Sequence, residues 1–289
     1  MTTAEIVILA AKLSIVGMVF ALGLRSKPED IADLLGRPGL LFRSFVAINV
    51  VPPLFAIAAV MLLPLRLEVE VMLIALSLSP VPPLLPGKAS SARGDRSFAI
   101  ALLVVFAVLS LVWIPLALQI LGWIFGRPVG VDPTTIAWIV ATLIIVPLLL
   151  GMALRRFAAD FAKRIEHPVS LLSMIVLGIV GLLIVVSSAR AMLGQIGDGV
   201  LVLTAAFVIV GLAAGHLLGG PDPRERTDLA LAAASRHPGI ALAVSQMIFP
   251  GDRASTALVA IALIVNIVIG LPYVKWRARH AAASEGGAS

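Results

Sequence analysis

Ser77-Leu-Ser-Pro80-Val-Pro-Pro-Leu-Leu-Pro-Gly-Lys88 decides how this chain folds. It cannot be one continuous helix, because Pro80, Pro82, Pro83 and Pro86 each remove a backbone donor and crowd the preceding turn. Yet it sits inside an apolar stretch, 68–92, that is otherwise long enough to cross a membrane. In hydrocarbon each unsatisfied backbone group costs several kcal/mol, so a chain opens at membrane depth only where protein or a watery cavity receives it. The competing reading is a loop between two short helices. The charges on either side choose between them.

Working outward, the rest of the chain is of the same solvent class. Of 289 residues 60% are hydrophobic and 13% charged, with a mean hydropathy of +1.08, where a soluble domain carries roughly 25% charged residues. Apolar segments fall at about 5–24, 39–63, 68–92, 97–122, 135–154, 168–189, 199–219, 229–248 and 254–274. None of the 16 acids lies in the interior of an apolar run. With nine spans, the links on one face hold 15 bases, from Arg25 through Arg93, Arg155 and Arg224 to Arg279, against 4 on the other, Arg66, Arg127, Arg190 and Arg253. A full turn at the proline cluster would make ten spans and divide the same bases 12 to 7. Nine spans therefore obey the positive-inside rule, with the N-terminus outside and the C-terminus cytoplasmic. The net charge of +6 belongs to these links and does not imply nucleic acid. No cysteine is present, which excludes disulfides, thiolate metal sites and cysteine nucleophiles. The first 24 residues lack a basic n-region and a small-residue cleavage site, and read as a retained span.

A second interruption, Ser235-Arg236-His237-Pro238-Gly239, falls about seven residues into the eighth span. One proline kink is common in packed membrane helices. Two breaks in corresponding places are not. Spans one to four and six to nine each carry the break in their third member, and the odd number of helices between them makes the two sets run in opposite directions, as in an inverted repeat. Broken helices that cross near the midplane present their N-termini to a central substrate. The links after spans one and five also look alike: Leu24-Arg25 with Asp30, Ala32 and Pro38 recurs as Leu154-Arg155 with Asp160, Ala162 and Pro168. A shared position on the cytoplasmic face accounts for that likeness as well as common ancestry does.

Several of these stretches resemble the bile acid:sodium symporter family. The run from Pro80 through Ser90-Ser91-Ala92-Arg93-Gly94-Asp95 is similar to that family's first crossover, and the eighth span with Gly239 to its second. Ala21-Leu-Gly-Leu, Pro38-Gly-Leu-Leu and Asn49-Val-Val-Pro52 are similar to its divergent bacterial branch. The resemblance implies a core domain that holds both crossed helices, a smaller panel domain, and alternating access between them. It also implies a departure. Aligned through Gly239, the family's sodium-binding glutamate falls at Ala232, its glutamine at Arg236 and its asparagine at His237; aligned through Gly94, its Ser-Asn pair falls at Leu85 and Pro86. Sodium would be left with carbonyls at the breaks and the hydroxyls of Ser77, Ser79 and Ser235.

Three cations lie inside spans: Lys12, Lys88 and Arg236. A buried Arg236 costs roughly 2.5–3.5 kcal/mol even on the lenient insertion scale, so it needs carbonyls or an anion. Either the first break solvates it permanently, or it pairs, with Lys88, with the anionic group of a substrate. A fixed cation at each crossover would also offset the dipoles that sodium offsets elsewhere. His237 titrates near neutrality and is either a neutral partner of a freed carbonyl or a proton-coupling group. His216 reads as interfacial. Lys12 faces a cavity or a break carbonyl. Asn49, Asn266 and Gln246 line the cavity or bond between helices.

The expectation is an all-α polytopic membrane protein of about nine transmembrane helices with two broken, crossing helices, organised as core and panel. Residues 1–122 form the first inverted repeat, 135–154 an intervening span, 168–274 the second repeat and 275–289 a cytoplasmic tail. Its expected activity is secondary transport of a small organic anion across the inner membrane. The substrate-side residues are Arg236, His237, Lys88, Ser235 and Asn49; the crossover backbone is Pro80, Pro82, Pro83, Pro86, Pro238 and Gly239; Ser77, Ser79 and Ser235 are the candidate ion site. No cofactor is expected beyond Na+ or H+ as coupling ion, and the lipid bilayer and the anion are the only partners. Oligomeric state stays open. Alternatives are an anion channel or uncoupled facilitator, or proton coupling through His237. An enzyme would need a nucleophile, metal ligands or paired acids at membrane depth, and ATP a phosphate loop, and the sequence has neither.

Overall fold

The computed structural model describes residues 3–126, 133–197, 199–249 and 251–286, and every regular element in them is a helix. Arg127, assigned above to a link, lies outside the described residues, as do Asp132, Asp198 and both ends of the chain. In order the helices are α1 (Thr3–Arg25), α2 (Pro28–Leu35), α3 (Pro38–Phe45), α4 (Val51–Leu62), α5 (Leu67–Leu78), α6 (Leu85–Ser91), α7 (Arg96–Ile124), α8 (Pro133–Val140), α9 (Val146–Phe157), α10 (Ala159–Gln195), α11 (Val200–Leu218), α12 (Pro223–Ala234), α13 (Pro238–Ile248) and α14 (Arg253–Gly286). Among the described residues six stretches are long and apolar enough to cross a membrane: 38–62, 96–124, 137–157, 159–195, 200–218 and 253–283. The pair α1 and α2, bent by 84°, makes a seventh if it is taken as one span. These stretches show large apolar side chains outward, such as Leu172 at 65% and Val186 at 65% exposure, which suits lipid and not water. The chain is an integral membrane protein.

Two prolines shape helices that hydropathy reads as uniform. Pro52 and Pro147 each follow a π-turn, Val46–Val50 and Ala141–Ile145, in which Val51 N–H reaches Val46 O and Val146 N–H reaches Ala141 O. An extra residue in the turn absorbs the misfit of a proline ring against the preceding carbonyls.

Packing divides the chain into two units, Met1–Asp30 with Ala107–Ala189, and Ile31–Phe106 with Arg190–Ser289. In the first, α1 and α9 touch backbone to backbone. A Cβ on Gly23 would lie 2.3 Å from Leu148 O, and one on Gly151 2.3 Å from Phe20 O, so only glycine fits at either place. Beside them Arg155 Nη1 donates to Leu24 O (3.0 Å), and Arg25 pairs with Glu166. The two similar links part here: Pro38 begins a helix, but Pro168 lies within the continuous α10.

The second unit contains both interruptions. α5 stops at Leu78 and Ser79 turns extended (φ −63, ψ 138), as the residue before Pro80 must. α12 stops at Ala234, and Ser235 and His237 are extended before Pro238 (ψ 130 and 103). The open backbone is narrower than the sequence suggested. Pro86 is the second residue of α6, and Pro238 and Gly239 open α13, where a missing donor costs nothing. α12 is seated by Gly211 and Gly215 of α11, where a Cβ would lie 2.8 Å from Ala233 O and 2.3 Å from Leu229 O.

Candidate functional site

Every proline that breaks a helix leaves a carbonyl without its donor, and these carbonyls locate the site. Ile48 O would normally bond the N–H of residue 52 or, in a π-turn, 53. Both are proline. Ser79 O would look to residue 83, also proline, and Ala234 O to Pro238. Ala233 O would look to His237, whose N–H instead donates across to Pro80 O (3.1 Å), so the two breaks touch directly.

One side chain serves three of these acceptors. Arg236 is 7% exposed, and its guanidinium donates to Ser79 O (Nη1, 3.2 Å), Ile48 O (Nη2, 2.5 Å) and Ala233 O (Nη2, 3.1 Å). The planar fork of arginine can span acceptors on three chain segments, which a point charge on a flexible stem cannot do at once. Asn266 of α14 serves the fourth: its Nδ2 donates to Ala234 O (2.8 Å). Lys88 Nζ from α6 then donates to Asn266 Oδ1 (3.1 Å) and Ser235 Oγ (3.0 Å). The result is a network of two cations on carbonyl, amide and hydroxyl oxygens. Among the described residues no carboxylate pairs with Arg236 or Lys88.

Of the residues expected at the substrate, Arg236, Lys88 and Ser235 are thus brought together, with His237 joined through its backbone. His237 is 4% exposed and its Nδ1 has no protein partner. Asn49 lies half-buried in the π-turn, next to Ile48. The candidate ion ligands do not gather into one set. Ser77 Oγ donates to Ile74 O (2.8 Å) and Ser79 Oγ to Ala75 O (2.7 Å), each within its own helix, while Ser235 Oγ takes Lys88. Lys12 is exposed on α1. Gln246 ties the α13–α14 turn, donating to Asp252 O (3.0 Å) and Thr256 Oγ1 (3.1 Å) and accepting from Gly251 N–H (2.9 Å). His216 Nδ1 meets Tyr273 Oη at 2.8 Å, close to the Trp276 ring, in the kind of aromatic cluster found at membrane interfaces.

Beside the network is a cavity of about 30 Å³, walled by Arg236, Asn266, Pro238, Thr204 and Phe207 among others. It is far smaller than the several hundred Å³ of an ordinary ligand pocket. One acid was missed by reading hydropathy alone. Asp228, one residue before the eighth apolar run, is fully buried, and its Oδ2 accepts from Asp95 N–H (2.7 Å), tying the start of α12 to the Ala92-Arg93-Gly94-Asp95 segment. Outside the spans, Arg37 grips Glu225 from both guanidinium nitrogens (Nη2 to Oε2, 2.7 Å), and that bond raises the guanidinium's pKa above its ordinary value.

The sequence profile of the sodium bile acid symporter family matches residues 12–195, a stretch that contains the first break and ends before the second. No curated protein matches the chain.

Proposed function

The chain belongs to the sodium bile acid symporter family and is a membrane transporter of that kind, and we propose that it moves a small organic anion by alternating access, with Arg236 and Lys88 filling the place of a coupling sodium. The observation that carries this is the guanidinium of Arg236 bonded to Ser79 O, Ile48 O and Ala233 O. Dehydrated sodium would need such freed oxygens, and here a covalently attached cation already holds them. Lys88 does the same for Ser235 Oγ. The uncompensated positive charge of the pair draws an anion toward the crossover, where Lys88, Ser235, His237 and Asn49 are the residues nearest at hand. A thermal-shift screen of carboxylates and sulfonates on the purified protein, in potassium buffer, tests the reading. At least one anion should stabilise the protein without sodium, and shifts that appear only when sodium is added refute it.

The rest of the architecture follows the same proposal. Counting α5 with α6 and α12 with α13 as one broken span each, beside α1 and the six uninterrupted stretches, gives nine spans. Spans one to four and six to nine then form the inverted repeat, with the cytoplasmic face of the inner membrane on the side of the 15 bases. Because the chain has no cysteine, an Ala282→Cys variant carries a single thiol in the tail. In intact cells an impermeant maleimide should leave it unlabelled, and labelling from outside would reverse the topology.

A second reading, proton coupling through His237, has its own support in the buried Nδ1 that lacks a protein partner. An imposed pH gradient that leaves uptake into vesicles unchanged would dismiss it.

A further inference from the structure

The crossover network leaves one guanidinium nitrogen without a partner. Arginine has five N–H groups, and three of those on Arg236 are taken by carbonyls; its Nε has no protein partner, although the side chain is more than nine-tenths buried. Arg236 forms part of the wall of the 30 Å³ cavity. So does Asn266, whose amide is fixed in orientation by Lys88 on its oxygen and Ala234 O on its nitrogen, with a second Nδ2–H left over. Pro238, the first residue of the 11-residue α13, is a third wall, which puts the positive end of a helix dipole there. The remaining lining is mostly apolar, including Leu76, Phe207 and Ala262.

Size and charge then select the occupant. A water needs roughly 10–15 Å³ of such space, so this partly open cavity takes a monatomic ion or about two waters and is too small to enclose the carbon skeleton of an organic anion. A buried guanidinium with a half-buried ammonium nearby, neither paired with a carboxylate, favours a negative guest over a neutral one. We propose that the cavity beside Arg236 binds a single chloride-sized inorganic anion, held by the guanidinium Nε–H, the amide of Asn266 and the N-terminus of α13. The ion gives the guanidinium Nε its missing partner and offsets the charge of Arg236 and Lys88. This rests on the reading of the crossover as a cation-filled core, and it is separate from the identity of the transported cargo.

Equilibrium binding of radiolabelled chloride to the purified full chain, at constant ionic strength with gluconate as the replacement, tests it. One saturable site per chain is expected, displaced by bromide and untouched by gluconate. Arg236→Gln should abolish it. Should that variant fold poorly, Ala262→Leu fills the cavity while keeping Arg236 and should reduce binding at least tenfold in protein that retains its thermal transition. Absence of saturable chloride binding by the unaltered chain, the result expected if only water occupies the cavity, overturns the proposal, as does binding that Ala262→Leu leaves unchanged. Protein that binds chloride but responds to no organic anion would retain this site and lose the transport reading. An organic-anion response without chloride binding would do the opposite.

Discussion

Arg236 stands at the position where the resemblance puts a glutamine, and Ala232, one turn earlier in α12, where it puts the sodium-binding glutamate. Ala232 is fully buried two residues before the end of α12, so a carboxylate placed there would be a buried acid close in sequence to the second break. The double substitution Ala232→Glu with Arg236→Gln removes the fixed cation and restores an acid. It should make ligand-induced stabilisation depend on sodium where the parent's does not, and a double variant indifferent to sodium would show that the guanidinium is not the stand-in. Arg236 was legible in the sequence as a cation in want of oxygens. The carbonyls of the first break were an expected partner, and Ser79 O is one; Ile48 O, 188 positions away, was not expected. A signal was present all the same: Pro52 and Pro53 strip Ile48 O of both helical donors, as Pro83 strips Ser79 O, so orphaned carbonyls can be counted from the positions of the prolines alone. Asp228 escaped notice for the converse reason. Hydropathy places it just beyond a span, and burial there comes from tertiary packing against the Gly94–Asp95 turn, which no local pattern records.

At the scale of elements, α12 can carry the second break because α11 lets it approach closely. A methyl on Gly215 would lie 2.3 Å from Leu229 O and 2.4 Å from Ala230 Cα, and backbone cannot yield as a flexible side chain does. Gly215→Ala should therefore destabilise by about 1–3 kcal/mol, the usual range for overpacking, and displace the arm that holds Arg236. Gly178→Ala, on α10 where nothing lies within 4 Å, is the control, and should be neutral or stabilising by up to about 1 kcal/mol. Equal melting temperatures for the two variants would contradict the packing described. Both breaks were legible because proline and glycine punctuate helices by simple sterics. Their limits were drawn too wide, since Pro86 already lies in α6 and Pro238 and Gly239 in α13, so the extended backbone ends before them. The π-turns before Pro52 and Pro147 were invisible, because apolar periodicity does not distinguish an i−4 bond from an i−5 bond.

Over the whole molecule, composition separates the interior of the apolar runs, where Lys88 and Arg236 remain with neutral oxygens, from the links and the ends of those runs, where the acids and most of the bases reside. A membrane transporter that must move a counter-ion with its cargo needs an ion site it can fill and empty. A cation fixed by covalent bonds cannot leave, so coupling to sodium would have to arise elsewhere in the chain. Uptake into proteoliposomes of an anion identified by the stability screen, measured with external sodium and again with sodium wholly replaced by potassium, tests this most directly. The two rates should agree within error. Uptake that collapses in potassium and rises saturably as sodium is restored would contradict the assignment of Arg236 and Lys88 as the resident cations of the crossover.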